Sequence, residues 1–262
     1  KMPKVSIILP VYNGEKKLSR ALKSIADQTY RDFETLVVDN NSTDSSCDIA
    51  REFTDSANVR IVHCKEQGLV PALNFGIYNA DCDFIARQDD DDYWYPNKLE
   101  KQMNLFESDP SLGVVGTQIR TLDPEGRVEE IGTFGKKVNY ATDDNGMKQM
   151  LMIGQNPICH PSVVFKRSAI LRVGGYSDLW HLAEDFELWC RMMPFTKFAN
   201  IDEVLIDYTQ TVRDDYDPNV VILISDMYYH LYKTIGMIRG ERPPVMAEWQ
   251  LKQMMEEQLN DG

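Results

Sequence analysis

Residues 5–42 read VSIILPVYNGEKKLSRALKSIADQTYRDFETLVVDNNS, and the fold follows from this stretch. Val5–Val11 is an apolar run without alternation, as expected of a strand buried on both faces. Glu15–Asp27 then places Leu18, Ala21, Leu22 and Ile25 at helical spacing. Glu34–Asp39 reads as a second buried strand. A strand, a helix and a strand in this order predict a right-handed crossover onto a parallel neighbour. The pattern continues outward. Thr43 suits the N-cap of a helix reaching about Phe53, and Val59–His63 reads as a third strand. Gly68–Asn79 reads as turn then helix and Asp83–Gln88 as a fourth strand. Pro96 opens a helix through Phe106, and Gly113–Gln118 is a fifth strand. The expectation is an α/β fold with a mainly parallel central sheet flanked by helices.

The second half is less regular. Asp123–Gly126 (DPEG) reads as a hairpin turn, Ser162–Lys166 and Val204–Tyr208 as short strands, and Glu184–Met193 as a helix. From Val220 onward two helical stretches follow, interrupted at Arg239–Pro244. There is no internal repeat.

Composition narrows the function. The 262 residues carry a formal net charge of −13, which argues against a nucleic-acid partner needing a basic face. Five scattered cysteines form no C-x-x-C pair, which disfavours zinc fingers and disulfide frameworks and fits a reducing, cytoplasmic setting. No N-terminal leader pattern and no transmembrane segment is read; Val220–Ile238 comes closest but is broken by Ser225, Asp226, His230 and Lys233.

The sharpest chemical signal is Asp89-Asp90-Asp91-Asp92, directly after DFIARQ. On an extended backbone Asp89 and Asp91 share a face. Adjacent carboxylates repel one another unless a cation sits among them, and Mg²⁺ characteristically takes few carboxylates plus substrate phosphates. The bland alternative is a solvated acidic turn, but the run is followed by Tyr93-Trp94-Tyr95-Pro96 rather than by loop residues. An EF-hand is excluded because Trp94 stands where its glycine belongs. Open parallel sheets bind ligands beyond the carboxyl ends of their strands. Pro10, Tyr12 and Asn13 lie at one such end, Asp39 and Asn41 at the next. Tyr12 and Asp39 suit stacking on a base and accepting its ring N–H; a loop aromatic and a turn cap are the competing readings.

The chain resembles family 2 glycosyltransferases of the GT-A fold. VSIILPVYNGEKKLSRALKSIADQTYRDFETLVVDNNSTDSS, GLVPALNFGI, RQDDDDYWYPNKLEKQ, HPSVVFKRSAILRVGGY and AEDFELWCR are similar to family blocks, in order, over about Val5 to Tyr208. The resemblance implies a Rossmann-like nucleotide-binding half (about 1–118), an acceptor half (119–215) and a helical C-terminal extension (216–262). It implies that Tyr12 and Asp39 hold the base and that Pro10 shapes the loop. Asn13, Asn41, Asp89, Asp90 and His160 count with them on the donor side. Asp91 with Asp89 matches the D-x-D pair for Mn²⁺ or Mg²⁺, and Asp185 matches the general base. Arg191 matches a basic family position, where pairing with Glu187 is equally credible. Three positions depart from the family pattern. Asn40-Asn41 replaces the usual Asp-Gly, Leu73 stands where arginine is frequent, and Thr209 stands at another arginine position that Arg213 is near enough to supply.

The implied activity is metal-dependent, inverting transfer of a hexosyl or N-acetylhexosaminyl group from a nucleotide diphosphate sugar, UDP-linked by resemblance, to an acceptor hydroxyl in glycan biosynthesis. At the start of a helix Asp185 is expected to stay ionised, a weak base with an ordinary pKa of about 3.9. A non-catalytic nucleotide-sugar binding module is the alternative. A sugar-nucleotide pyrophosphorylase would want a glycine-rich loop where PVYNGEKKL has one glycine, and no G-x-G-x-x-G supports a dehydrogenase. For the C-terminal helices, packing on the catalytic domain is favoured over a homodimer surface, a membrane edge or a junction to a longer parent protein.

Overall fold

A computed structural model describes residues 4–127, 137–180, 182–210 and 217–239. The elements are β1 (Val5–Val11), α1 (Leu18–Ala26), β2 (Phe33–Asp39), α2 (Ser46–Glu52), β3 (Val59–His63), α3 (Leu69–Tyr78), β4 (Phe84–Arg87), β5 (Tyr93–Trp94), α4 (Lys98–Ser108) and β6 (Leu112–Leu122). There follow β7 (Lys137–Val138), α5 (Asp144–Met152), β8 (Val164–Lys166), α6 (Arg167–Arg172), α7 (Glu184–Met192), β9 (Lys197–Thr209) and α8 (Pro218–Arg239). They build one sheet in the order β3-β2-β1-β4-β8-β6-β9-β5, with β7 on β6. Most paired residues lie in parallel ladders, β3–β2–β1–β4 and β6–β9. Antiparallel β8 joins the two parallel groups by standing between β4 and β6.

The period of the strands explains the two cores. Along β1, Ile8 faces one side with α3, α5, α7 and α8 residues, while Val5, Ile7, Leu9 and Val11 face the other with α1 and α4. Both faces are covered, so both sets are apolar and no alternation survives in the sequence. The helix over Ile8 comes very close: a Cβ on Gly76 would lie 2.6 Å from Ile8 Cγ2 and 3.0 Å from Val38 Cγ2. Both neighbours are branched side chains on buried strands and cannot swing aside. Gly76→Ala is therefore expected to cost about 1–3 kcal/mol in urea unfolding. An unchanged midpoint would mean that the sheet yields there.

Several boundaries differ from the sequence reading for local reasons. Helix α2 starts at Ser46, and Thr43 does not cap it. Asp44 Oδ1 instead accepts from Ser46 N at 3.0 Å, while Thr43 N donates to Asn13 Oδ1 at 2.8 Å. The turn at Asp123–Gly126 forms as expected, closed by Gly126 N to Asp123 O at 2.8 Å with Gly126 at φ +75°. Strand β6 runs on to Leu122, through the division expected near residue 118. The first part of α8 packs on the domain: Val221, Ile224 and Tyr228 join the core beside α5 and α7. Ser225 Oγ donates to Leu151 O at 2.9 Å and Tyr228 OH to Glu187 Oε1 at 2.6 Å. Arg213 and residues 240–262 lie outside the described residues. No described helix is long and apolar enough to cross a membrane.

Candidate active site

A cleft of about 900 Å³ opens at the carboxyl ends of β1 and β4. Pro10 and Tyr12 line it at the end of β1, Arg87 and Asp89–Asp91 at the end of β4, and His160, Glu184 and Asp185 from the second half. The sheet order explains the convergence: β8 beside β4 brings the segment before it, including His160, next to the acid run.

The acid run is a turn, not a continuation of the strand. Strand β4 ends at Arg87, and residues 90–91 are in a turn. The expected sharing of a strand face by Asp89 and Asp91 therefore does not arise. The turn brings them together instead, and it adds Asp92: ligating oxygens of Asp89, Asp91 and Asp92 lie within 4.8 Å of one another. Thr209 holds the turn in place. Its backbone N donates to Asp92 Oδ1 at 2.7 Å and its hydroxyl to Asp91 O at 2.6 Å. The position read as a missing family arginine is thus a brace for the acids. The pairing of Tyr93 and Trp94 in β5 with Ile206 and Asp207 in β9 continues that brace.

The electrostatics of this turn are unbalanced. Burial, then the charges of Asp89 and Asp91, push Asp90 up to about 7 and Asp92 well above the usual carboxylate range. Burial and Asp89 likewise raise Asp91. Two like charges at 4.8 Å repel by about 3 kcal/mol at an effective dielectric of about 20. The turn answers this repulsion by favouring protonated carboxyls at Asp90 and Asp92, and a cation among the acids would take the place of those protons. Among the described residues Asp92 Oδ2 is buried without a hydrogen-bond partner, which is a ligand oxygen without its complement. The all-oxygen donor set suits Mg²⁺ or Mn²⁺.

Two basic residues reach the turn. Lys17 Nζ approaches Asp91 Oδ2 at 3.2 Å from the exposed rim. Arg87, 3% exposed, pairs with Asp89, and its Nε has no hydrogen-bond partner among the described residues. Burial opposes the Arg87 charge, but Asp89 and then Tyr176 and Asp92 hold its pKa above the usual value. Arg87 is the one lysine or arginine among the described residues lining the cleft, whereas Leu73 is buried in the core on α3. The signal for Arg87 was present in sequence as a charge inside the apolar strand DFIARQ.

Asp185 sits in the first turn of α7, half-buried. Its Oδ2 accepts from Asn156 Nδ2 at 2.7 Å and its Oδ1 from Phe186 N at 2.7 Å. Burial raises its pKa in spite of these bonds and the Arg87 charge. The expectation of an ordinary, weakly basic carboxylate is corrected: desolvation outweighs the helix terminus and makes a stronger base. His160 donates or accepts at Tyr176 OH across 2.7 Å, and burial, then Arg87, hold its pKa well below the usual value, so it is a neutral ring on the cleft wall.

Other expected site residues are placed differently. Asp39, Asn13 and Asn41 do not line the cleft. Asp39 accepts from Ser42 N at 3.1 Å and meets His63 Nδ1 at 3.0 Å. Burial pushes Asp39 up, but the bonds from Ser42 and His63 win and leave it below the usual range. Asn41 adopts φ +68°, the left-handed backbone that lets it stand for glycine. Asn13, at φ +54°, ties the loop after β1 to Thr43. Arg191 is structural: it grips Glu187 through Nε at 2.8 Å and Gly175 O through Nη1 at 2.8 Å. Asn156 and Tyr176 were not singled out, because nothing local marks residues brought in from separate loops.

The family model described as Glycosyl transferase family 2 matches residues 6–174. The putative glycosyltransferase EpsE of Bacillus subtilis is 32% identical over 222 residues, covering 82% of this chain and 74% of that relative. The O-antigen biosynthesis glycosyltransferase WbnJ of Escherichia coli is 32% identical over 212 residues, 78% of each chain. Among solved structures, S. aureus TarS 1-349 in complex with UDP superposes with a TM-score of 0.68 at 19% identity, covering 98% of this chain and 71% of that one. The mannosyltransferase PcManGT from Pyrobaculum calidifontis, in complex with GDP-Man and Mn²⁺, gives 0.60 at 18% identity, covering 93% and 78%. These superpositions agree with the GT-A arrangement of sheet and helices.

Proposed function

Since the chain belongs to glycosyltransferase family 2, we propose that it transfers a hexosyl or N-acetylhexosaminyl group from a UDP-sugar to an acceptor hydroxyl, inverting the anomeric configuration, in the assembly of a glycan. The observation that carries this reading is the sharing of one cleft by the acid turn and a half-buried Asp185. Asp89, Asp91 and Asp92 would hold Mn²⁺ or Mg²⁺, which when bound supplies neutralisation of charge on the leaving diphosphate.

The chain's own residues do the rest. Asp185 accepts the acceptor hydroxyl proton as the new bond forms, and Asn156 and the Phe186 N–H keep its carboxylate aimed. A base acting from the side opposite the leaving group gives inversion. Arg87 fixes Asp89 and opposes the negative charge of the cleft. Tyr12, 56% exposed at the rim, stacks on the base, with Asp39 accepting its ring N–H. TarS bound to UDP and to UDP-GlcNAc supports uridine as the base, and WbnJ, an O-antigen biosynthesis glycosyltransferase, supports the glycan setting. Residues 1–215 form the transferase domain in this proposal and 216–262 an extension that begins by packing on it. Five free cysteines support a cytoplasmic place of work.

A thermal-shift panel of UDP, GDP, dTDP and CDP with Mn²⁺ tests the base. UDP at about 100 times its Kd adds roughly 2.7 kcal/mol of stability. Tyr12→Ala and Asp39→Ala are each expected to weaken UDP binding in calorimetry, the former by about 1–3 kcal/mol, the range of base–aromatic stacking. Parental affinity in both variants would move the nucleotide elsewhere. Donor hydrolysis in Mn²⁺ separates an enzyme from a binding module.

A further inference from the structure

A second convergence of ligating atoms lies away from the acid turn, at the ends of β2 and β3. Asp39 is the last residue of β2, His63 the last of β3, and the parallel register sets them side by side. Cys47 comes from the first turn of α2. One carboxylate oxygen, one ring nitrogen and the Cys47 sulfur lie within 4.8 Å of one another. His63 Nδ1 is 3.0 Å from Asp39 Oδ2, and the Cys47 sulfur lies beside the same carboxylate. Asp39 is 6% exposed, Cys47 half-buried and His63 exposed, so the group is anchored below and open above.

The three residues are held from separate directions. The start of α2 is tied to the loop after β1 by Gly14 N to Ser46 Oγ at 2.8 Å and by Glu15 N to Asp44 Oδ2 at 3.0 Å. Ser42 N fixes the other Asp39 oxygen. Cys64, Cys82, Cys159 and Cys190 are buried, so Cys47 is the cysteine that solvent reaches. The donor set of oxygen, nitrogen and sulfur differs in kind from the all-oxygen acid turn. Thiolate and imidazole select Zn²⁺ and its neighbours, while carboxylates alone suit Mg²⁺ and Mn²⁺. A carboxylate, a thiolate and a neutral imidazole balance the charge of a divalent ion and leave a fourth position for water.

We propose that Asp39, Cys47 and His63 form a zinc-class metal site, separate from the acid turn, whose filling excludes the nucleotide base from Asp39. Binding displaces the Cys47 thiol proton to solvent and ends the Asp39–His63 hydrogen bond as both turn to the ion. The carboxylate then has no free lone pair aimed at a base. The exclusion rests on the assignment of Asp39 to the base; the metal site does not. Zinc outranks Mn²⁺ in affinity at oxygen sites as well, so Mn²⁺ in large excess over one equivalent of zinc keeps the acid turn filled with Mn²⁺ by mass action.

The test uses the full chain stripped with a chelator. Co²⁺ is added as a spectroscopic stand-in for zinc, and the thiolate-to-cobalt charge-transfer band is read. The parent is expected to show the band at one equivalent, Cys47→Ser to lose it, His63→Gln to weaken it, and Asp91→Ala to keep it. A parent without the band, or a band that persists in Cys47→Ser, overturns the site. Calorimetry of UDP in excess Mn²⁺, with and without one equivalent of Zn²⁺, reads the exclusion. Zinc is expected to weaken UDP binding in the parent and not in Cys47→Ser. A band accompanied by unchanged UDP affinity overturns the exclusion, and the placing of the base on Asp39 with it, while the metal site stands.

Discussion

Replacing Asp185 by Asn is expected to lower kcat by roughly 10²–10⁴, the usual range for general base catalysis, with Mn²⁺–UDP affinity unchanged. The geometry makes the carboxylate's charge, not its shape, the thing removed. Asn keeps an oxygen for Asn156 Nδ2 or the Phe186 N–H, so the start of α7 holds its place. Stability should not fall either. The folded protein raises the pKa of Asp185 by burial, so it favours the protonated form, and ionisation near neutral pH works against folding. A neutral isostere removes that cost, and the melting temperature is expected to hold or rise. Loss of turnover without loss of stability is the signature of a group kept for chemistry. The sign also fixes the pH profile: kcat/KM should decline as pH falls through the raised pKa of Asp185, because protonation removes the base. Near-parental kcat in Asp185→Asn, with Glu184→Gln inactive, would transfer the role to Glu184.

Asp91→Ala is expected to abolish Mn²⁺-dependent UDP binding. Among the three clustered acids, Asp91 has the fewest commitments. Asp89 is paired with buried Arg87, and Asp92 gives one oxygen to Thr209 N. Among the described residues the Asp91 carboxylate pairs with Lys17, whose side chain is 47% exposed and can leave at little cost. Calorimetry with Mn²⁺, and then with UDP, measures the loss directly. Without metal the variant should melt no lower than the parent, since one raised, mutually repelling carboxylate is gone. Metal-dependent UDP binding that survives intact would remove the acid turn from the mechanism.

The parallel half was legible because burial on both faces leaves apolar runs, and β1, β2 and β3 appear within a residue of their reading. The acid turn and Asp185 were legible as residues. Their geometry was not, because DDDD after a strand reads as extended until the pairing of β5 with β9 forces a turn. Strand β5 is two aromatic residues long and has no period to detect. The place of β8 between β4 and β6 is a non-local fact that no window contains. Thr209 looked like a missing arginine because its partners, Asp91 and Asp92, are more than a hundred residues away. The raised pKa of Asp185 comes from packing, which composition does not encode.

Because β5 belongs to the acid loop yet pairs with β9, and β8 pairs with both β4 and β6, the first and second halves of the chain are interlaced rather than abutted. A crossover near residue 118 would cut β6 in mid-strand, and a transplanted second half would arrive with edges shaped for another acid loop. Relatives of this chain should therefore exchange acceptor preference by drift in surface loops, and cassette-style recombination of halves should yield insoluble hybrids unless strands β5, β6, β8 and β9 are inherited as a set.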